Sequence, residues 1–309
     1  MKIKTLIIGL GKIGFDYDFK KKFFLTHFKS FYKNKNFKIV GVCEKNFKKN
    51  NYLKKKKIPL FFDFKKVIKK LNPSLVIVAT PTNTHMQILR YLLRFKDIKL
   101  ILCEKPLGKN LDQAQKIKQL RNSNKIFVNY MRSTDKIFEK EIIRKIKKED
   151  QLYIDIFYKG SLENNACHYL HLLNKYFKNY KSIKNVKKYN NSQFDFDIDY
   201  GAKVKTRFLS SCSRNLTLDT MRFINKKNIF NYDNGGHIIY NFTNVDNPVY
   251  SSKNYFKLKK IIKNKFYENS QKYIVENISN FFLNKKHYLC NLSEAIKIHK
   301  IINIIKHEK

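Results

Sequence analysis

The chain has 309 residues, 43% hydrophobic and 15% aromatic, enough material for two domains that each bury a core. No run of about 18 or more apolar residues occurs, which excludes a membrane-spanning helix. Five scattered cysteines without a CxxC pair exclude a disulfide-stapled scaffold and read as reduced thiols of a cytoplasmic protein. The net charge of +41 raises the question of nucleic acid. However, 57 of the 65 basic residues are Lys and only eight are Arg, and Asn, Ile, Phe and Tyr are also plentiful. All these residues have A/T-rich codons, so codon drift accounts for the bias, whereas a phosphate-binding surface favours the Arg fork. No specific nucleic-acid partner is expected. A positive field would still favour an anionic substrate or cofactor.

In chain order, the start through Leu6-Ile7-Ile8 reads as a buried strand, not a signal peptide. Further strands are predicted at 37–43, 75–79, 100–103 and 126–128, with a weak one at 60–62. Near-continuous β-branched runs suit parallel strands buried on both faces. Segments 84–95 and 110–121 have helical spacing, the second opened by Asn110 with Gln113 as a capping pair. Strand–helix alternation implies a doubly wound sheet over residues 1–131. From 132 to 309 the rhythm changes. Strands are predicted at 151–158, 204–209, 216–223 and 237–242, and helices at 164–177, 269–282 and 293–305. The expected fold class is therefore α/β: an N-terminal Rossmann sheet followed by an α+β domain with a mostly antiparallel sheet.

Gly9-Leu10-Gly11-Lys12-Ile13-Gly14 is GxGxxG directly after a strand. The first glycine permits the tight turn, the second lets backbone approach a pyrophosphate, and the third lets helix and strand pack closely. A helix start behind the turn would offer its N–H groups to the anion. Glu44 follows the second strand and suits the ribose hydroxyls of adenosine, so NAD is expected over NADP, with Lys45 a softening neighbour. Glu44 lies later than the usual spacing allows, which fits an insertion around Phe15 to Phe24. Open α/β sheets bind ligands at the carboxyl ends of their strands. There lie Ala79-Thr80-Pro81-Thr82-Asn83-Thr84-His85 and Glu104-Lys105-Pro106. Thr80, Pro81, Thr82, His85, Glu104 and Lys105 are accordingly expected at the cofactor.

These segments resemble the glucose–fructose oxidoreductase / inositol dehydrogenase (Gfo/Idh/MocA) family. The resemblance runs from Gly9, Gly11 and Gly14 through Ala79–His85 and Glu104-Lys105-Pro106 to a histidine-bearing helix at 164–173 and Leu292-Ser293-Glu294-Ala295. Tyr17-Asp18 and Leu25-Thr26-His27 are similar to a subgroup associated with sugar and surface-polysaccharide metabolism. The resemblance implies an NAD(P)-dependent dehydrogenase acting on a sugar, nucleotide sugar or cyclitol, and a homo-oligomer pairing its C-terminal sheets. It also implies that Lys105 holds the reacting hydroxyl and that His168 takes its proton. The family often carries Asp where Asn164 stands. An amide orients but cannot serve as a carboxylate base. Asp155 is another acid near in sequence. A non-catalytic NAD- or sugar-binding regulatory protein of the same fold is the alternative. Cys167, His168 and His171 do not make a convincing ligand set, and no metal is expected.

Overall fold

The computed structural model describes residues 2–45, 50–146, 151–178, 180–201, 203–211, 219–250 and 253–308. The chain forms two compact units. The first comprises Met1–Thr134 and Glu268–Lys300, and the second Asp135–Tyr267 and Ile301–Lys309. The boundary read between residues 131 and 132 thus lies close to the end of the first unit's N-terminal stretch. The segment Glu268–Lys300, read with the second domain, packs with the first.

The first unit is built on a seven-stranded sheet. Its strands are β1 (Ile3–Ile8), β2 (Phe37–Cys43), β3 (Leu60–Phe61), β4 (Leu75–Val78), β5 (Leu100–Cys103) and β6 (Ile126–Val128), with a late edge strand. The order from one edge is β3-β2-β1-β4-β5-β6, all parallel. The late edge strand, Cys290–Asn291, adds to β6 antiparallel. Every residue of β4 and β5 is buried, as their unbroken apolar runs require for strands covered on both faces. The strand order reverses between β1 and β4, and such a reversal opens a crevice at the carboxyl ends of these two strands. Helices Thr82–Leu92 and Leu111–Lys118 follow β4 and β5. Asn110 caps the second by accepting from Gln113 N at 2.9 Å, and Gln113 reaches back to Lys109 N at 2.7 Å.

The second unit holds an eight-stranded sheet of β7 (Leu152–Lys159), β8 (Ser182–Lys188), β9 (Phe194–Asp199), β10 (Val204–Ser211), β11 (Thr220–Ile224), β12 (Asn228–Asp233), β13 (Ile238–Asp246) and β14 (Asn254–Lys263). The order is β14-β13-β12-β11-β7-β10-β9-β8, antiparallel except for the parallel β7–β10 pair. Of the strand read at 216–223, residues 216–218 lie outside the described residues, as does Cys212. One face is apolar at period two. Phe194, Phe196 and Ile198 of β9 point inward, and Phe196 stacks on Phe208 of β10 with centroids 4.5 Å apart. The late edge strand of the first unit is β15.

Candidate functional site

The glycine turn is fixed by sterics. Gly9 has φ +96°, and a Cβ there would lie 2.4 Å from the Ala79 carbonyl oxygen. At Gly14 a Cβ would lie 2.3 Å from the Gly9 oxygen. These two glycines let the ends of β1 and β4 approach. Gly11 differs: nothing lies within 4 Å of its missing Cβ, so open space borders the backbone where a pyrophosphate would need to come close. Gly9 N donates to Cys43 O at 2.9 Å and Ala79 N to Ile8 O at 2.8 Å, stitching the turn to the ends of β2 and β4. The helix expected behind the turn is one wide five-residue turn, Lys12–Asp16, in which Phe15 N and Asp16 N both donate to Gly11 O. Lys12 is exposed and Ile13 half-buried.

Glu44 stands against this turn. Its Oε2 accepts from Leu10 N at 2.9 Å and its Oε1 from Lys45 N at 2.8 Å. A cavity of about 490 Å³ opens here, lined among others by Gly9, Gly11, Glu44, Lys45, Thr80 and Pro81. The residues present fit a nicotinamide dinucleotide: an open glycine cradle, a carboxylate after β2, and a wall after β4. Thr84 Oγ1 lies 2.7 Å from Thr80 Oγ1 and 2.8 Å from Pro81 O, which holds that wall. Thr82 starts the helix Thr82–Leu92 and is not part of the lining. His85 is fully buried and also stands off the lining. Its Nε2 lies 2.9 Å from Thr80 O, and its Nδ1 lies 3.1 Å from Pro106 O and 3.3 Å from Leu107 O. The ring therefore bridges the segment after β4 to the segment after β5. A neutral ring can donate to only one of these two sides.

Glu104 and Lys105 follow β5, and the Lys105–Pro106 bond is cis. Glu104 Oε1 accepts from Asn129 Nδ2 at 2.6 Å and faces His27 Nε2 at 2.7 Å. Asn129 Nδ2 also lies 3.3 Å from Gln271 Oε1. Burial pushes the Glu104 carboxyl up, but hydrogen bonds from His27 and Asn129 and the charges of His27 and Lys105 outweigh it, and the group stays below the ordinary carboxylate value. His27 Nδ1 is buried and has no hydrogen-bond partner among the described residues. His27 Nε2 donates to the Glu104 carboxylate.

The insertion inferred from the late position of Glu44 delivers His27. Asp18 is 1% exposed. Its Oδ2 accepts from Leu25 N at 2.6 Å and Thr26 N at 3.0 Å, and its Oδ1 from Thr26 Oγ1 at 2.7 Å. Thr26 in turn caps the helix His27–Tyr32. Phe24 N donates to Glu268 O at 2.8 Å and Gln271 N to Phe24 O at 3.2 Å, tying the insertion to the helix Ser270–Phe282. Asn129 and Gln271 escaped the sequence reading altogether, and His27 entered it only through family resemblance. The available signal was Asp18 with Thr26, a buried-acid and cap pair just ahead of the histidine.

Lys105, half-buried, belongs to the first unit, whereas His168 and Asn164 belong to the second. The helical stretch read at 164–177 is a wide turn, Leu162–Ala166, running into the helix Cys167–Phe177. Ser161 Oγ caps it by accepting from Asn164 N at 3.1 Å. Asn164 is exposed and His168 buried. His171, one turn on, is pushed down to about 3 by burial and by the charge of Lys175. Asp155 is engaged elsewhere: its Oδ1 pairs with Arg207 Nε at 3.1 Å across β7 and β10.

The reversed strand order, the glycine turn and the carboxylate after β2 define a nicotinamide-dinucleotide-binding Rossmann protein. Residues 3–130 match the model described as "GFO_IDH_MocA: Oxidoreductase family, NAD-binding Rossmann fold". Over this segment the chain matches the Gfo/Idh/MocA oxidoreductase family and carries its NAD-binding Rossmann fold. No curated protein sequence matches the chain. Solved structures share the fold over nearly the whole length. An aldose-aldose oxidoreductase from Caulobacter crescentus is 13% identical, with TM-score 0.75 and 99% of this chain and 96% of that chain covered. The UDP-N-acetylglucosamine 3-dehydrogenase GnnA from Acidithiobacillus ferrooxidans is 11% identical, with TM-score 0.72 and coverage of 99% and 97%. A super-repressor mutant of Gal80p from Saccharomyces cerevisiae is 13% identical, with TM-score 0.75 and both chains covered completely. Among the described residues no helix is long and apolar enough to cross a membrane.

Proposed function

We propose that the chain oxidises a hydroxyl-bearing carbon of a sugar, nucleotide sugar or cyclitol, or reduces the corresponding ketone, with NAD preferred over NADP. The observation that carries this reading is the Glu44 carboxylate, held on the N–H of Leu10 inside the glycine turn and at the rim of the cavity beside Gly11. A carboxylate there receives ribose hydroxyls and repels a 2′-phosphate. The nicotinamide, when bound, supplies hydride acceptance or donation. Thr80 and Pro81 form the wall of the binding cavity. Lys105, following β5, holds the substrate hydroxyl and stabilises negative charge developing on its oxygen. His168 takes the hydroxyl proton. Asn164 orients a sugar hydroxyl or the histidine and transfers no proton. His27 and Asn129 act through Glu104: they keep its carboxylate charged and fixed beside Lys105, which makes them positioning residues.

Two of the similar folds bear sugar-oxidoreductase names, which supports the substrate class. The protein works in the cytoplasm, in keeping with the buried Cys43, Cys103, Cys167 and Cys290, which form no disulfide among the described residues. It assembles with copies of itself through the second unit's sheet, where Tyr153, Tyr255, Leu258 and Ile261 are exposed. A second reading, a non-catalytic sugar- or NAD-sensing protein, is favoured by Asn164 in place of an acid and by the likeness to a super-repressor mutant. Absorbance of NADH across a panel of nucleotide sugars, aldoses, cyclitols and their keto forms tests both. Turnover with at least one member is expected. Tight NADH binding without turnover of any would favour the sensor.

A further inference from the structure

The end of the first unit's sheet opposite the glycine turn holds a second cavity, of about 540 Å³. It is bounded where the helices Thr82–Leu92 and Leu111–Lys118 end and the chain turns into β5 and β6. Arg90, Arg94, Lys96, Arg121 and Lys125 line it together with Asn122, over an apolar floor of Leu93 and Leu120. No acid is among the lining residues. Among the described residues none of the five cations is in an ion pair with a carboxylate.

Two features set this cluster apart from the general positive surface. The first is residue type. Arg makes up eight of the chain's 65 basic residues, so five basic positions drawn at that ratio would hold fewer than one. Here three of the five are Arg. Drift that fills a surface with Lys does not concentrate guanidinium groups at one concavity. The second is preparation. Asn122, with φ +63°, donates to Leu93 O at 3.2 Å and joins the two loops. Lys125 Nζ is fixed by Phe95 O at 3.3 Å and Lys96 O at 3.2 Å, and the Arg94 guanidinium sits 5.8 Å from the Tyr91 ring centroid. The carbonyl ends of two helices account for some of the positive charge. They call for neither a cavity nor guanidinium in preference to ammonium.

We propose that this cavity is an anion site for a small molecule carrying two or more phosphate groups, separate from the dinucleotide site. Guanidinium forks match phosphate oxygens in pairs, and several cations held in no ion pair call for more than one negative group, even with the charge of Asp97 acting on Lys125. The volume lies in the range of small-molecule sites, roughly 300–1,000 Å³.

Inorganic tripolyphosphate is the probe, titrated calorimetrically into the full chain at about 0.15 M salt, where long-range surface attraction is screened. One saturable site is expected, unaffected by saturating NADH. Arg90→Gln with Arg121→Gln should weaken it about tenfold or more, the loss of roughly one charge-assisted bond. Arg90→Lys with Arg121→Lys, which keeps the charge, should also weaken it. Lys69→Gln with Lys70→Gln removes the same charge from the exposed end of the helix Phe64–Leu71 and should leave it unchanged. Equal weakening by the Lys69/Lys70 pair would overturn the proposal in favour of a whole-molecule field. Competition by NADH would move the anion to the glycine turn, and absence of saturable binding would remove the site. Arginine-dependent binding of a duplex oligonucleotide without tripolyphosphate binding would likewise overturn it.

Discussion

Replacing His27 with Leu tests whether the insertion after the glycine turn exists to support Glu104. The side chains of His27 and Glu104 are 1% and 12% exposed and meet at 2.7 Å, so solvent screens the bond little. A hydrogen bond to a charged group contributes about 1.5–3 kcal/mol net. Glu104 retains Asn129, which points to the lower part of that range, about 1.5–2 kcal/mol. For a unit of this size that corresponds to a melting shift of about 3–8 °C. Gln is the control, because its amide N–H can stand in for the Nε2 proton. The pH dependence follows from the lowered Glu104 value. A carboxyl held below its unfolded value adds stability above that value and loses it as pH falls through the folded one. The cost of His27→Leu should therefore be full from pH 7 down to about 4, where the unfolded carboxyl titrates, and shrink as pH falls below that through the folded value. Urea midpoints of wild type, His27→Leu and His27→Gln from pH 7 to well below about 4 measure this. If Leu and Gln cost the same at pH 7, or the Leu deficit stays constant with pH, the ring is a packing element and the carboxylate does not depend on it.

The glycines separate fold from ligand. Gly11→Ala should leave stability within about 0.5 kcal/mol, since its Cβ meets no protein atom, yet weaken NADH binding; calorimetry with thermal melts reads both. Gly9→Ala, at φ +96° and against a backbone carbonyl, should lower the melting temperature as well as the affinity. Glu44→Gln should relax the preference for NAD over NADP, measured by titrating both reduced cofactors through their fluorescence. Lys105→Ala and His168→Ala should each cut turnover on the order of 10²–10⁴-fold with NADH binding largely kept, and Asn164→Ala less. Any pH limb of oxidation that is lost in His168→Ala should survive in His171→Asn, because burial and Lys175 hold His171 at about 3 and keep it neutral across the assayed range.

The N-terminal sheet was legible because its strands are buried on both faces. Phe37–Cys43, Leu100–Cys103 and Ile126–Val128 run as read, their apolar stretches ending where the chain turns to Glu44, Glu104 and Asn129. The antiparallel sheet was legible only where alternation is clean. β14, Asn-Tyr-Phe-Lys-Leu-Lys-Lys-Ile-Ile-Lys, buries no residue, and β8 buries only Ile183, so neither carries the period-two signal. The short helix Phe64–Leu71 has an apolar stripe, but its Lys pairs dilute it in a chain where Lys is everywhere.

The same contrast governs the site. GxGxxG is local, so its geometry is written in consecutive residues, and the glycines at 9 and 14 sit where a side chain would strike backbone. The Glu104 cluster is not local. His27, Asn129 and Gln271 come from a helix start, a strand end and a distant helix, separated by up to 244 positions in the chain. No spacing rule links them. What the sequence did carry was an anomaly, the extra length between Gly14 and Glu44, together with an acid, a cap and a histidine inside it. Asp18 alone accepts three hydrogen bonds from Leu25 and Thr26, a constraint out of proportion to a surface loop. An insertion that folds around a buried acid and ends on a buried histidine against an ionised glutamate has a defined end point. That end point is the residue preceding Lys105, which is why removing His27 should be felt at Glu104 rather than at the glycine turn.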